Sequence, residues 1–210
     1  MDIMQDIVAK PAFFLLGIPI RNSVVATWIM MFLVIVGVVV LRKMRPIVLE
    51  MLVDFTDSLA AGFISGPRAP YVPFLGSLLV FIAVANLIGI VPTIFTPTRD
   101  INTPLALSLV VLVATFAFGI QAKGIGRFLK GFATPLAVLD VIGYFSRTMS
   151  LTLRLFGNVI GSEIVVAVLF ALVPVGIPLV MVAMGSITGV LQAYVFTVLA
   201  SSYISSSIEL

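Results

Sequence analysis

The chain has no cysteine and no histidine, and only 10% of its residues carry charge. Each shortage excludes something. Without cysteine there is no disulfide framework and no thiol chemistry. Without histidine the commonest metal ligand and the usual proton shuttle near neutral pH are both missing. Any proton relay must then use carboxylates and water. Soluble domains are typically about 25% charged, so this chain cannot clothe a water-facing surface. Its 61% apolar content and mean hydropathy of +1.26 identify a polytopic membrane protein whose solvent is largely lipid. The net charge of +3 is spread among loops and forms no basic stripe for nucleic acid. No phosphate-cradling glycine-rich loop with its lysine is present. Asp2, Asp6 and Lys10 make the N-terminus a poor signal peptide, and it is expected to be retained. Internal repeats and low-complexity tracts are not found.

What is present is a set of long uncharged runs. A spanning helix needs ~20 apolar residues. Asn22 to Leu41 is twenty residues long, Ala69 to Thr98 thirty, Ile101 to Ala122 twenty-two, and Ile164 to Ile208 forty-five. The last run is broken at Pro174 to Pro178, which splits it into a helical hairpin. Thr103-Pro104 reads as a helix start and Lys123-Gly124 as a stop. The expected fold is an all-α membrane protein forming a single domain, residues 1–210. Five transmembrane helices cover 22–41, 72–96, 103–122, 134–173 and 178–206, the last two forming a long, steeply tilted hairpin. Residues 46–66 form an amphipathic helix at the inner membrane surface, with Glu50, Asp54 and Asp57 on one face. An ordinary acidic surface face is the plainer account of those three carboxylates. Seven basic residues fall in loops on one side (Arg42, Lys43, Arg45, Arg68, Lys123, Arg127, Lys130) and two on the other (Arg21, Arg99). The positive-inside rule then places the N-terminus outside and the C-terminus inside.

The fourth span is the chemically unusual one. Asp140, Arg147 and Arg154 stand seven apart, so they drift only about 20° per step around a helix. Ser150 and Asn158 lie one turn either side of Arg154, and Gly143 and Gly161 complete a polar, small-residue face. Glu163 falls about half a turn away. A charge at mid-membrane costs at least ~2.5–3.5 kcal/mol. Asp140 and Arg147 could pair with each other, but no acidic residue lies three or four positions from Arg154. Its partner must come from another helix or another chain. Gln192, in the last span, reads as interhelical glue, a functional role, or both.

These residues carry a resemblance. "SLTLRLFGNVIGSEIV" (150–165), followed by "LQAYVFTVLASSYI" (191–204), resembles the a subunit of F-type ATP synthases, as do "TRDINTPLALSL" (98–109) and "AKGIGRF" (122–128). The resemblance covers nearly the whole chain. It implies an ion-translocating stator subunit, with a proton as the ion adopted in this reading, that is not itself catalytic. Arg154 would face the essential carboxylate of a rotating ring of c subunits. Asn158, Glu163 and Gln192 would line the polar path, Asp100 its outer mouth, and Asp140, Arg147 and Ser150 the way to the inner side. It implies no cofactor and no metal. The implied partners are the c-ring, peripheral-stalk b-type subunits, the catalytic head indirectly, and lipid. The expected location is an energy-transducing membrane, bacterial inner or plastid thylakoid. Some family members carry a histidine or carboxylate seven residues before the glutamine; this chain has Gly185 there. The rival from another class is a stand-alone secondary transporter or channel, in which Arg154 would bind an anion.

Overall fold

A computed structural model describes residues 11–15, 18–90, 97–126, 137–173 and 176–209. Strands β1 (Pro11–Leu15) and β2 (Ile18–Arg21) form an antiparallel hairpin with an irregularity between Pro11 and Phe13. This hairpin is an addition to the all-helical expectation. The other described residues include six α-helices: α1 (Asn22–Met44), α2 (Pro46–Ala61), α3 (Val72–Leu87), α4 (Asn102–Lys123), α5 (Ala137–Leu172) and α6 (Ile177–Glu209). Short 3-10 turns follow α3 at Ile88–Ile90 and precede α4 at Pro97–Arg99.

Proline and glycine set the boundaries. Pro46 has no N–H to continue α1, and a residue before proline is pushed out of the helical region. Arg45 accordingly sits at φ −146°, ψ 69°, and Pro46 opens α2. Helix α4 stops where Gly124 takes φ +81°, and the α5–α6 turn contains Gly176 at φ +86°, values that favour glycine. The start of α4 differs from expectation. Asp100, rather than Thr103, supplies the side-chain oxygen, accepting the Asn102 N–H at 3.2 Å.

Helices α1, α4, α5 and α6 are long and apolar enough to cross a membrane. At 1.5 Å per residue, the 36 residues of α5 extend about 54 Å, well beyond a ~30 Å hydrocarbon core. Helix α3 is apolar but shorter. The expected second span, 72–96, continues into residues 91–96, which lie outside the described residues, as do the expected first residues of the fourth, 134–136.

The core lies between α3, α4, α5 and α6. Leu75 and Ile82, Val111, Leu151 and Leu155, and Ala193, Phe196, Ala200 and Ile204 are all essentially inaccessible. Hydroxyls join the helices. Ser108 and Thr152 are 2.6 Å apart, and Ser207 donates to the Thr115 carbonyl at 2.9 Å. Such bonds average about 0.6 kcal/mol in a membrane protein, so packing contributes more than they do. Helix α1 is peripheral. Trp28, Phe32 and Val39 face outward, while Met30 is buried.

Candidate functional site

The buried side of α5 is a stripe of Thr148, Leu151, Thr152, Leu155 and Val159. That spacing turns one face into the bundle. The polar series therefore looks away from it. Asp140, Ser150 and Arg154 are exposed, and Arg147 and Asn158 are half-buried. A Cβ built at Gly143, Gly157 or Gly161 would meet nothing within 4 Å. Among the described residues Arg154 has no ion-pair partner. Asp140 and Arg147 do not pair with each other either. The Arg147 guanidinium instead lies against two rings, 5.8 Å from the centroid of Tyr144 and 5.2 Å from that of Tyr203 on α6. Cation–π attraction holds it there.

Glu163 lies round the helix from Arg154, as its spacing requires, and is half-buried. Its Oε2 is 3.0 Å from Nε of Arg99. Asp100, the next residue, is buried. Thr98, the one before, is also buried and donates to Oδ1 of Asn86 at 3.1 Å. The Asn86 amide in turn donates to the Gly189 carbonyl on α6 at 2.9 Å. One short segment thus fixes α3 through Thr98, α5 through Arg99 and α4 through Asp100. Sequence reasoning counted Arg99 only as a loop charge and did not single out Asn86. A lone amide in the otherwise apolar α3 was a signal that could have found it.

Helices α5 and α6 run antiparallel and meet at Arg147–Tyr203 and at Ser162–Gly185. Gln192 falls between these crossings, at about the height of Phe156 to Asn158. It is 9% exposed, and its amide nitrogen is buried without a hydrogen-bond partner. The bond expected of interhelical glue is therefore not made. Gly185 closes directly on Ser162, where a Cβ would come within 3.3 Å of the serine Cβ. Position 185 thus offers Glu163 no larger side chain; among the described residues its ion-pair partner is Arg99, brought from the α4 side. No group of three or more potential metal ligands occurs among the described residues.

The sequence model of the ATP synthase A chain matches residues 23–205. The chain belongs to that family. Among its relatives, ATP synthase subunit a 2 of Picosynechococcus is 37% identical over 200 residues, covering 90% of this chain and 86% of that protein. ATP synthase subunit a of Citrifermentans bemidjiense is 37% identical over 202 residues, covering 90% and 88%. ATP synthase subunit a 2 of a Bradyrhizobium strain is 34% identical over 201 residues, covering 91% and 90%. Membership in the family, together with the apolar helices, makes the chain an integral membrane protein. It is the ion-translocating stator subunit of an F-type ATP synthase membrane sector, working within a complex of several subunits.

Proposed function

We propose that the exposed face of α5 around Arg154 is where a rotor-ring carboxylate is engaged, between two offset aqueous half-channels. The observation that carries the reading is Arg154 itself. It is a guanidinium on a membrane-crossing helix, turned away from the core, with no ion-pair partner among the described residues and with open small residues beside it. Left in lipid, it would cost at least ~2.5–3.5 kcal/mol. A second chain carrying a carboxylate relieves that cost, and Gly157 and Gly161 let it approach closely.

The chemistry follows from electrostatics. Two half-channels that met would leak, and a fixed positive charge between them blocks a cation from passing straight through. A ring carboxylate reaching Arg154 is favoured in its ionised form. It sheds its proton into one half-channel and leaves the arginine only when reprotonated from the other. Turning the ring is thereby tied to transfer of the ion, a proton in this reading. The outer path uses Asp100, Glu163, Asn158 and Gln192. The inner path uses Asp140, Ser150 and Arg147. The unpartnered amide of Gln192 supports this assignment, since an unsatisfied buried donor costs about 1–3 kcal/mol and a solely structural residue would not carry that penalty. The chain performs no bond chemistry. ATP is made on a separate catalytic head, joined through the c-ring and held by b-type stalk subunits. The N-terminus lies outside and the C-terminus inside, and α2 rests at the inner surface.

Arginine stays protonated when desolvated, whereas a buried lysine readily loses its proton. Its planar fork also suits a carboxylate. Arg154→Ala is therefore expected to abolish coupled pumping while the complex still assembles, with passive ion flux rising. Arg154→Lys is expected to be severely impaired. Pumping and passive flux are measured in membranes with equal amounts of assembled complex. Near-normal pumping by Arg154→Ala would reject the role assigned to it.

A further inference from the structure

At the outer end of the bundle the carboxylate of Glu163 does not stand alone. It is paired with Arg99 at 3.0 Å, and the two side chains are 32% and 21% exposed. The pair is thus within reach of water without being free in it. Arg99 is firmly placed, because its neighbours in sequence are both buried and bonded: Thr98 to Asn86, and Asp100 at the start of α4. Among the described residues the other charge at this end is that of Asp100. It lies at the N-terminus of α4, where the helix dipole supplies about half a positive charge. With Arg99 cancelling Glu163, these described groups leave only about half a negative charge, that of Asp100 against the dipole.

A bare carboxylate at a channel mouth attracts any cation, and a metal ion binds where oxygens can replace its water. A guanidinium on the carboxylate removes both the net charge and one of the oxygens. Arginine cannot be deprotonated in a protein, so it cannot relay a proton itself and cannot be switched off. Protons passing along water need neither a net negative charge nor a coordination cage. We infer that Arg99 is a charge filter for the outer path, holding Glu163 so that hydrated metal cations are turned away while proton transfer through water continues. The inference rests on the reading of Glu163 as an outer-path residue, and it adds a selectivity-determining side chain to that path.

The test uses the assembled complex in oriented membrane vesicles, making ATP from an imposed proton gradient. Sodium chloride or choline chloride is present on the outer side at equal ionic strength. The native complex is expected to run equally fast in both salts. Arg99→Gln and Arg99→Ala are expected to be slowed by sodium relative to choline by roughly fivefold, the scale on which a part-exposed ion pair acts. Arg99→Lys, which keeps the charge, should remain resistant. Adding Glu163→Gln to Arg99→Gln should abolish the sodium effect, because the exposed carboxylate is then gone, whatever the lowered absolute rate. The two neutral variants guard against one of them failing to assemble. Equal rates in the two salts for the neutral variants would overturn the filter, as would inhibition that survives in the double variant. A native complex driven by sodium would overturn it too. Such results leave the half-channel reading intact. A native complex that makes no ATP from any ion gradient would overturn both.

Discussion

Gly189 has no room for a side chain: a Cβ there would lie 2.8 Å from the Cβ of Asn86. Backbone and amide are this close because the Asn86 amide donates to the Gly189 carbonyl. Two effects oppose each other on substitution. Replacing a mid-helix glycine by alanine gains about 0.5–1 kcal/mol of helix preference. Forcing an extra carbon into a packed site costs typically 1–3 kcal/mol, so the clash wins. Gly189→Ala is expected to lower the thermal unfolding midpoint and to displace Asn86 from Thr98. Gly161→Ala, where the added carbon meets nothing, should leave the midpoint unchanged or raise it. A scan of both purified variants in detergent checks this, and an unaltered midpoint for Gly189→Ala would show that Asn86 yields freely. At this scale the sequence was legible where spacing alone decides. The outward face of Arg154 and the separate face of Glu163 both follow from helical geometry. Arg99 and Asn86 were hidden because their partners lie 64 and 103 positions away in sequence, and such contacts belong to packing rather than pattern.

Helix α2 begins at Pro46 as expected but ends at Ala61, short of the expected residue 66. Pro46 marks its start in sequence and in space. Its apolar residues split. Thr56 and Ala60 pack inward, while Ile47, Met51 and Phe55 face outward at helical spacing, as a helix resting on an apolar medium would have them. The acidic series shares one face, as expected, but not one environment. Glu50 and Asp54 are exposed, but Asp57 takes the Arg68 guanidinium in a two-pronged bond, Nε to Oδ1 at 2.9 Å and a terminal nitrogen to Oδ2 at 3.1 Å. Sequence placed Arg68 only by charge sign and could not see the loop between Gly62 and Tyr71 fold it back. The hydrogen bonds from Arg68 hold the Asp57 carboxyl below its ordinary value. A lowered folded value means that the pair's contribution is fully present above the ordinary aspartate range. It is lost only as pH falls through the lower, folded value. Arg68→Ala should therefore return Asp57 to the ordinary range near ~3.9. Carboxyl NMR titration of labelled protein in detergent measures this directly, and an unmoved titration would remove Arg68 as the cause.

Across the whole molecule, charge is sorted by height along the helices. Arg99, Asp100 and Glu163 gather where α4 begins and α5 is near its end, whereas Lys123 closes α4 at its far end. Arg147, stacked on Tyr203, lies nearer Lys123 in that sense than nearer Arg99. Arg154 sits between the two groups along α5. An ion path from one end to the other must therefore pass the level of that fixed charge, which is the arrangement that two offset half-channels require. Loop charges give the direction. The orientation proposed from the sequence, with seven basic loop residues counted on one side and two on the other, would put the Lys123 end inside. The prediction is that Lys123→Cys is labelled by a membrane-impermeant thiol reagent only from the inner side, and Arg99→Cys only from the outer side. The native chain has no cysteine, so each variant offers a single reactive position with no background. Oriented vesicles and their inverted counterparts supply the two sides. Labelling of Arg99→Cys from the inner side alone would reverse the orientation. It would exchange the two half-channels and move the filter at Arg99 to the inner mouth.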